Sequence, residues 1–147
     1  YSNGTTDNVM NILTGAGADT ITFGGASNTK TAITAGDGAD TIRITGQAGG
    51  TINGGAGADR IIVQSTGALT LTGGADADVF EFMAGAHATI TDFQAGIDGI
   101  VLRGVSANSV HVTNSNGNTL IDLGGGASIN LAGATLLAGS PSLSYAA

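Results

Sequence analysis

Five aspartates recur in near-register along the chain, at Asp19, Asp40, Asp59, Asp78 and Asp98, with steps of 21, 19, 19 and 20 residues. Each is followed two places later by an apolar residue: Ile21, Ile42, Ile61, Phe80 and Ile100. The first four close the glycine-rich octets TGAGADTI, AGDGADTI, GGAGADRI and GGADADVF. Fixed chemistry returning at about this period is the signature of a solenoid. It confines the chain to stacked coils in which the acid comes back to one corner of every turn.

A second apolar position lies nine residues before the first in Ile12/Ile21, Ile33/Ile42, Ile52/Ile61 and Leu71/Phe80, and ten before it in Ile90/Ile100. Each coil therefore holds two short strands joined by two turns. After each Asp the alternation continues as Ile21/Phe23, Ile42/Ile44, Ile61/Val63, Phe80/Phe82 and Ile100/Leu102, which period two points inward. The core is thus two facing apolar columns, too thin to support the fold unaided. A helical reading fails, because a glycine in a helix costs about 1 kcal/mol against alanine and glycine recurs every few residues. The turns GGASNTKTA, GQAGGT, QSTGA and AGAHAT carry no repeated acid, so the acidic column occupies one edge.

From Val101 the register weakens. SVHVTNSNGNTLIDLGG reads as a hairpin around Asn-Gly. INLAGATLL reads as a further strand or short helix, and Pro141 with LSYAA as a loosely held end. The expected fold is an all-β, right-handed parallel β-roll over residues 1–104, with a hairpin-like cap and tail over 105–147, in one continuous domain. The chain opens on Tyr1, not Met, and reads as a processed or excised region of something longer.

Composition narrows the partners. Eleven acids against four Lys plus Arg give a net charge of −7. No basic footprint exists for nucleic acid. The apolar stretch Leu131 to Gly139 is too short to span a bilayer. With no cysteine, disulfides, thiol catalysis and Cys-based zinc sites are excluded. Charged residues make up 10%, against ~25% in ordinary soluble domains, leaving a neutral Thr/Ser/Asn/Ala/Gly surface open to self-association.

The column poses an electrostatic problem. Carboxylates one strand spacing apart, ~4.8 Å, repel by at most roughly 3–4 kcal/mol per pair at an effective dielectric of 20. Several pairs rival the whole stability of a small domain, about 5–15 kcal/mol. Calcium reverses that sign, taking six to eight oxygens from carboxylates and backbone carbonyls, and glycine turns can aim carbonyls inward.

The octets resemble the repeats-in-toxin (RTX) nonapeptide, Gly-Gly-x-Gly-x-Asp-x-apolar-x, with GGAGADRI (Gly54 to Ile61) the cleanest match. GGADADVFEF followed by ITDFQAGIDGIVL is similar to the end-of-roll segment in C-terminal modules of type I secreted bacterial proteins. GNTLIDLGGGASINLAG (Gly117 to Gly133) is similar to their closing segment. The resemblance implies calcium held between successive loops by Asp19, Asp40, Asp59 and Asp78, and less completely by Asp98, whose loop keeps only Gly96. Turn carbonyls at Gly15, Gly17, Gly36, Gly38, Gly55, Gly57, Gly74 and Gly96 complete the ligand set that the resemblance implies, with Asp37 and Asp76 as accessory candidates. It also implies bacterial type I export to the cell surface or medium. The chain departs from the family in having loops on one edge, Ala at 18, 39, 58 and 77 before the Asp, and Asp76 in place of a glycine.

Blander readings apply elsewhere. Turn chemistry accounts for one such Asp but not for four in register. Asp92 and Asp7 read as structural turn residues. His87 and His111 have no metal-ligand spacing and no nucleophile partner pattern. Ala32/Thr34, Thr51/Asn53, Thr70/Thr72 and Thr89/Thr91 point outward in a Thr array that resembles ice-binding β-helices, although Thr is also an ordinary strand-former. The function expected is a calcium-folded, non-enzymatic surface or matrix component such as an S-layer, adhesin or fibre element. The alternatives are a folding and export module of a larger secreted enzyme and, less favoured, an ice-binding face.

Overall fold

The computed structural model describes residues 9–27, 29–137 and 139–147. The expected turn at Asp7 lies outside them. The fold is an all-β solenoid of two facing sheets. Coil one is Val9–Ala16 (β1) and Thr20–Gly25 (β2). Coil two is Lys30–Asp37 (β3) and Thr41–Gly46 (β4), and coil three Gly49–Ala56 (β5) and Arg60–Ser65 (β6). Coil four is Ala68–Ala75 (β7) and Val79–Met83 (β8), and coil five His87–Ile90 (β9) and Gly99–Arg103 (β10). A hairpin of His111–Ser115 (β11) and Asn118–Gly124 (β12) follows, then Ala127–Leu131 (β13) and Leu143–Ala146 (β14). One sheet runs β1-β3-β5-β7-β9-β13-β12-β11 and the other β2-β4-β6-β8-β10-β14. Among the described residues no helix is long and apolar enough to cross a membrane.

The two apolar columns stand where the alternation put them. Ile12, Ile33, Ile52, Leu71 and Ile90 are stacked in register across parallel pairs. Ile21, Ile42, Ile61, Phe80, Ile100 and Leu143 form the facing column. From Ile33 to Ile90 and from Ile21 to Ile100 the side chains are buried, and Phe93 from the fifth Asp-edge loop packs on Phe80 with ring centroids 6.3 Å apart. The hairpin forms as expected, with Asn116 and Gly117 both at positive φ, as its tight turn requires.

At the end of the chain only the tail differs from expectation. INLAGATLL contributes strand β13, parallel to β9, and the tail is no loose end: Leu143–Ala146 pairs in parallel with β10. Together β13 and β14 make a sixth coil, with β11–β12 as an insertion that carries the first sheet two strands further. Leu143 reaches the core column and so fixes the tail, which five residues of weak pattern did not disclose. The inward face of β12 is closed by the following segment. There the Thr119 hydroxyl donates to Ala134 O (2.9 Å) and accepts from Leu136 N–H (2.8 Å).

The outer wall of the second sheet holds a group that the repeat did not reveal. Glu81 and Ile62 face outward yet are buried. Arg60 Nη2 donates to Glu81 Oε2 (2.5 Å), and Arg103 Nε, from the other side, donates to Glu81 Oε1. Burial works against the ionised carboxyl, but the two guanidiniums outweigh it and hold Glu81 below the usual glutamate range. Glu81→Gln should therefore destabilise the folded chain by about 1–3 kcal/mol. The Arg60→Ala/Arg103→Ala double variant, which strands a buried carboxylate, should cost about 3–5 kcal/mol. Denaturant unfolding of the three chains checks that order, and equal midpoints would refute it.

Candidate metal centre along the aspartate edge

Each coil passes from the first sheet to the second through a loop ending in the recurrent Asp. The aspartates do not point into solvent. Asp40, Asp59 and Asp78 are 1%, 2% and 1% exposed, and their side chains turn into the loop that carries them. An alanine methyl built on Gly54 or Gly73 would stand 2.1 Å from Oδ2 of Asp59 or Asp78, so glycine there makes the room the carboxylate occupies.

The carboxylates are tied into a directional ladder. Asp19 N–H donates to Asp40 Oδ1 (2.7 Å), Asp40 N–H to Asp59 Oδ1 (2.8 Å), Asp59 N–H to Asp78 Oδ1 (2.9 Å) and Asp78 N–H to Asp98 Oδ1 (3.0 Å). Each acid from Asp40 to Asp98 thus accepts the turn amide of the coil before it. Asp98 closes the series: its Oδ2 accepts Gln94 N–H (2.8 Å), and its own N–H bonds within the loop to Gln94 O (2.8 Å). In the sixth coil the ladder position falls on Pro141, next to Ser142, which is in register with Gly99. Proline offers neither an N–H nor a carboxylate, so the column ends there.

The other oxygens have no such partners. Oδ2 of Asp19, Asp40, Asp59 and Asp78 is buried and accepts no hydrogen bond. A buried carboxylate oxygen left unpaired is costly, and native structures pair such groups or neutralise them. The strain shows in the proton affinities. Burial pushes the Asp78 carboxyl up to about 6; the Asp59 N–H pulls the other way, and the charges of Asp98, Asp59 and Asp92 push it further up. Asp59 is raised by burial too, opposed by the Asp40 N–H and reinforced by the Asp40 charge. At Asp59 and Asp78 the surroundings favour a proton or a cation.

A calcium ion fits this donor set. Among the described residues no three His, Cys, Asp or Glu side chains converge, so a cation must take most of its ligands from the backbone. Calcium does so readily, and zinc does not. Asp19, Asp40, Asp59 and Asp78 would hold it through the unpaired oxygens.

The other sequence candidates fall in different places. Asp98 stands in the ladder but has both oxygens engaged. Asp37, at the end of β3, and Asp76, in the fourth loop, are exposed and stand outside the column. Asp76 takes the glycine position by adopting φ +78°, so the fourth loop keeps its course. Asp92 is structural: its oxygens accept Gly73 N–H (3.0 Å) and Gly74 N–H (2.8 Å). Gly96 donates its N–H to Ser142 Oγ (3.0 Å), joining the fifth loop to the sixth coil.

On the opposite wall Thr51, Thr70 and Thr89 stand in one outward column and Thr34, Asn53 and Thr72 in the next. The Thr72 and Thr91 hydroxyls bond each other (2.9 Å), and that of Thr91 also donates to Leu71 O (3.2 Å), so part of the array is spent within the protein. The register brings together residues that the sequence kept apart: His87, Ser128, Asp122 and His111 lie in one row across four adjacent strands. No hydrogen bond joins Ser128 to either histidine, and Asp122 Oδ1 accepts Gly124 N–H (2.8 Å).

No protein-family model matches the chain, and no curated protein matches it.

Proposed function

We propose that the chain is a calcium-dependent β-roll of the repeats-in-toxin kind, belonging to an exported bacterial protein and serving a non-enzymatic structural role at the cell surface or in a matrix. The observation that carries this reading is the stack of buried, unpartnered Oδ2 atoms on Asp19, Asp40, Asp59 and Asp78. Without a cation those carboxylates repel one another and lack solvent. With calcium between successive loops they become ligands, and cation binding becomes folding free energy. A chain that stays open where calcium is scarce and closes where it is millimolar suits passage through an exporter followed by folding outside.

The alternative, a folding and export module of a larger secreted enzyme, draws support from the closed C-terminal end. There the ladder stops at Asp98 and Pro141 occupies its next position. Both readings share the calcium step. Circular dichroism of the metal-stripped chain at pH 7 should show little β signal in excess chelator and a cooperative gain on calcium titration, with magnesium at equal concentration much less effective. A full β signal in chelator would sink both.

A further inference from the structure

The chain has a net charge of −7, yet its three arginines, Arg43, Arg60 and Arg103, share one wall of the roll. They stand on the outer face of the second sheet, on β4, β6 and β10. The remaining cation, Lys30, lies on the first sheet. Among the described residues the only acid on the arginine wall is Glu81. Asp37, Asp76 and Asp122 are exposed elsewhere, on β3, the fourth loop and β12, while Asp40, Asp59 and Asp78 are buried in their loops. An acidic protein thus carries one wall that is net positive. That wall lies in coils two to five, with the described strands β2 and β14 on either side of it.

The guanidiniums are held in place. Arg60 and Arg103 grip the buried carboxylate of Glu81 from opposite sides. Arg43 Nη1 donates to Gln64 Oε1 (3.2 Å), and Gln64 Nε2 donates to Met83 Sδ (2.9 Å). Ile62, in register between Arg43 and Glu81, faces outward and is only 1% exposed, so the side chains around it lie down across the sheet. Among the described residues each guanidinium spends one N–H on a side-chain acceptor, and the others remain to be satisfied from outside. The Arg60 and Arg103 side chains are 46% and 37% exposed.

We infer that this wall is a docking face for an acidic polysaccharide, a linear chain bearing carboxylates on its sugars. Two guanidiniums already share one carboxylate here, and a guanidinium fork matches carboxyl oxygens. Arg43 stands two strands from Glu81, roughly 10 Å at the usual spacing. One small anion does not reach both places, whereas a chain with recurring acids does. Thr22 is in register beside Arg43 and Thr41 beside Arg60, which puts outward hydroxyls where the sugar hydroxyls would lie. A protein partner would want an aromatic or apolar anchor, and the wall offers Met83 as its one exposed large apolar side chain. Duplex nucleic acid and anionic membranes present dense negative charge, which three arginines on a chain of charge −7 do not offset. The inference rests on the fold and its charges and does not require the calcium reading.

Isothermal titration calorimetry with hyaluronate, in calcium and low salt, tests it, with circular dichroism on the same samples. Hyaluronate should bind and neutral dextran should not, and the affinity should fall steeply as salt is raised to about 0.5 M. Arg43→Glu, outside the Glu81 group, should weaken binding about tenfold or more with its β signal intact. Glu81→Gln should act in the opposite direction. It loosens the fold but removes the wall's one negative charge, so it should tighten binding several-fold. Lys30→Gln, on the first sheet, should change nothing. Hyaluronate that binds no better than dextran, or an Arg43→Glu chain that binds as well as the parent, would overturn the inference. So would tighter binding to polyphosphate, or to vesicles of phosphatidylserine and phosphatidylcholine, than to hyaluronate. If hyaluronate binds as expected and the β signal ignores calcium, the calcium reading fails and this one stands.

Discussion

A Gly55→Ala chain is expected to have no folded β-roll, even in saturating calcium, while Gly15→Ala folds with a modest loss. Both glycines sit at the same place in their loops, with φ of +117° and +113°, a backbone region that residues with a Cβ avoid. That shared strain costs on the order of 1–3 kcal/mol. The difference lies in what stacks below. A methyl on Gly55 would stand 1.9 Å from the Gly36 carbonyl oxygen, while one on Gly15 meets nothing within 4 Å among the described residues. To relieve the clash, coils two and three would have to separate by more than 1 Å, roughly a quarter of the strand spacing. That breaks the parallel ladders on both sheets and pulls the Asp40 amide away from Asp59, to which it now donates at 2.8 Å. Thermal melts of the two variants in calcium separate strain from stacking. Equal melting temperatures would mean that the loops do not stack this closely in solution.

The second large effect is a rescue by acid. In excess chelator, lowering the pH from 7 to about 4–5 is expected to raise the β signal above its value at pH 7. Asp78 is pushed up to about 6 from an ordinary 3.8, and Asp59 is raised in the same direction. A carboxyl that binds its proton more tightly when folded contributes its stabilisation fully below the unfolded pKa and loses it as pH rises through the folded one. For Asp78 that loss falls between about pH 4 and pH 6. At about 1.4 kcal/mol per unit it amounts to roughly 3 kcal/mol against the metal-free roll at neutral pH. Glu81 acts oppositely, since its folded pKa is lowered from 4.5. Its contribution is present above that value and lost as pH falls below it, so further acid gives back what was gained. The metal-free chain should be most stable in a narrow acid window, and calcium at pH 7 should flatten the profile. Chelator-treated samples that are most folded at pH 7 would contradict the protonation account of the ladder.

Much of the solenoid was legible before any coordinates. The near-19 spacing located five coils, the nine-residue apolar pairs located both core columns, and Asn116-Gly117 located the hairpin. These features depend on periodicity, which a sequence displays directly. The details that set the chemistry depend on which atom of one coil meets which atom of the next. The aspartates were identifiable as a column, but not as side chains folded into their own loops and accepting the preceding coil's amide. Glu81 drew no attention, although Arg60 lies 21 residues before it and Arg103 22 after, one coil and a diagonal step in each direction. Spacing from the chain's only Glu to its arginines would have exposed that group. Strand β14 was missed because Leu143 stands 43 residues beyond Ile100, its neighbour in the column, with the hairpin and β13 between.

The Pro141 stop bears on how long such a molecule can be. Gly49 lies in register with Ala68, so residues 49–67 form one complete repeat whose removal or duplication would bring equivalent positions together. Outside the Arg60–Glu81–Arg103 group, nothing in the middle of the roll counts its repeats. Among the described residues the terminating chemistry sits in Asp98, Gln94 and Pro141. Length is therefore a dial that gene duplication can turn, while the closing piece stays the same.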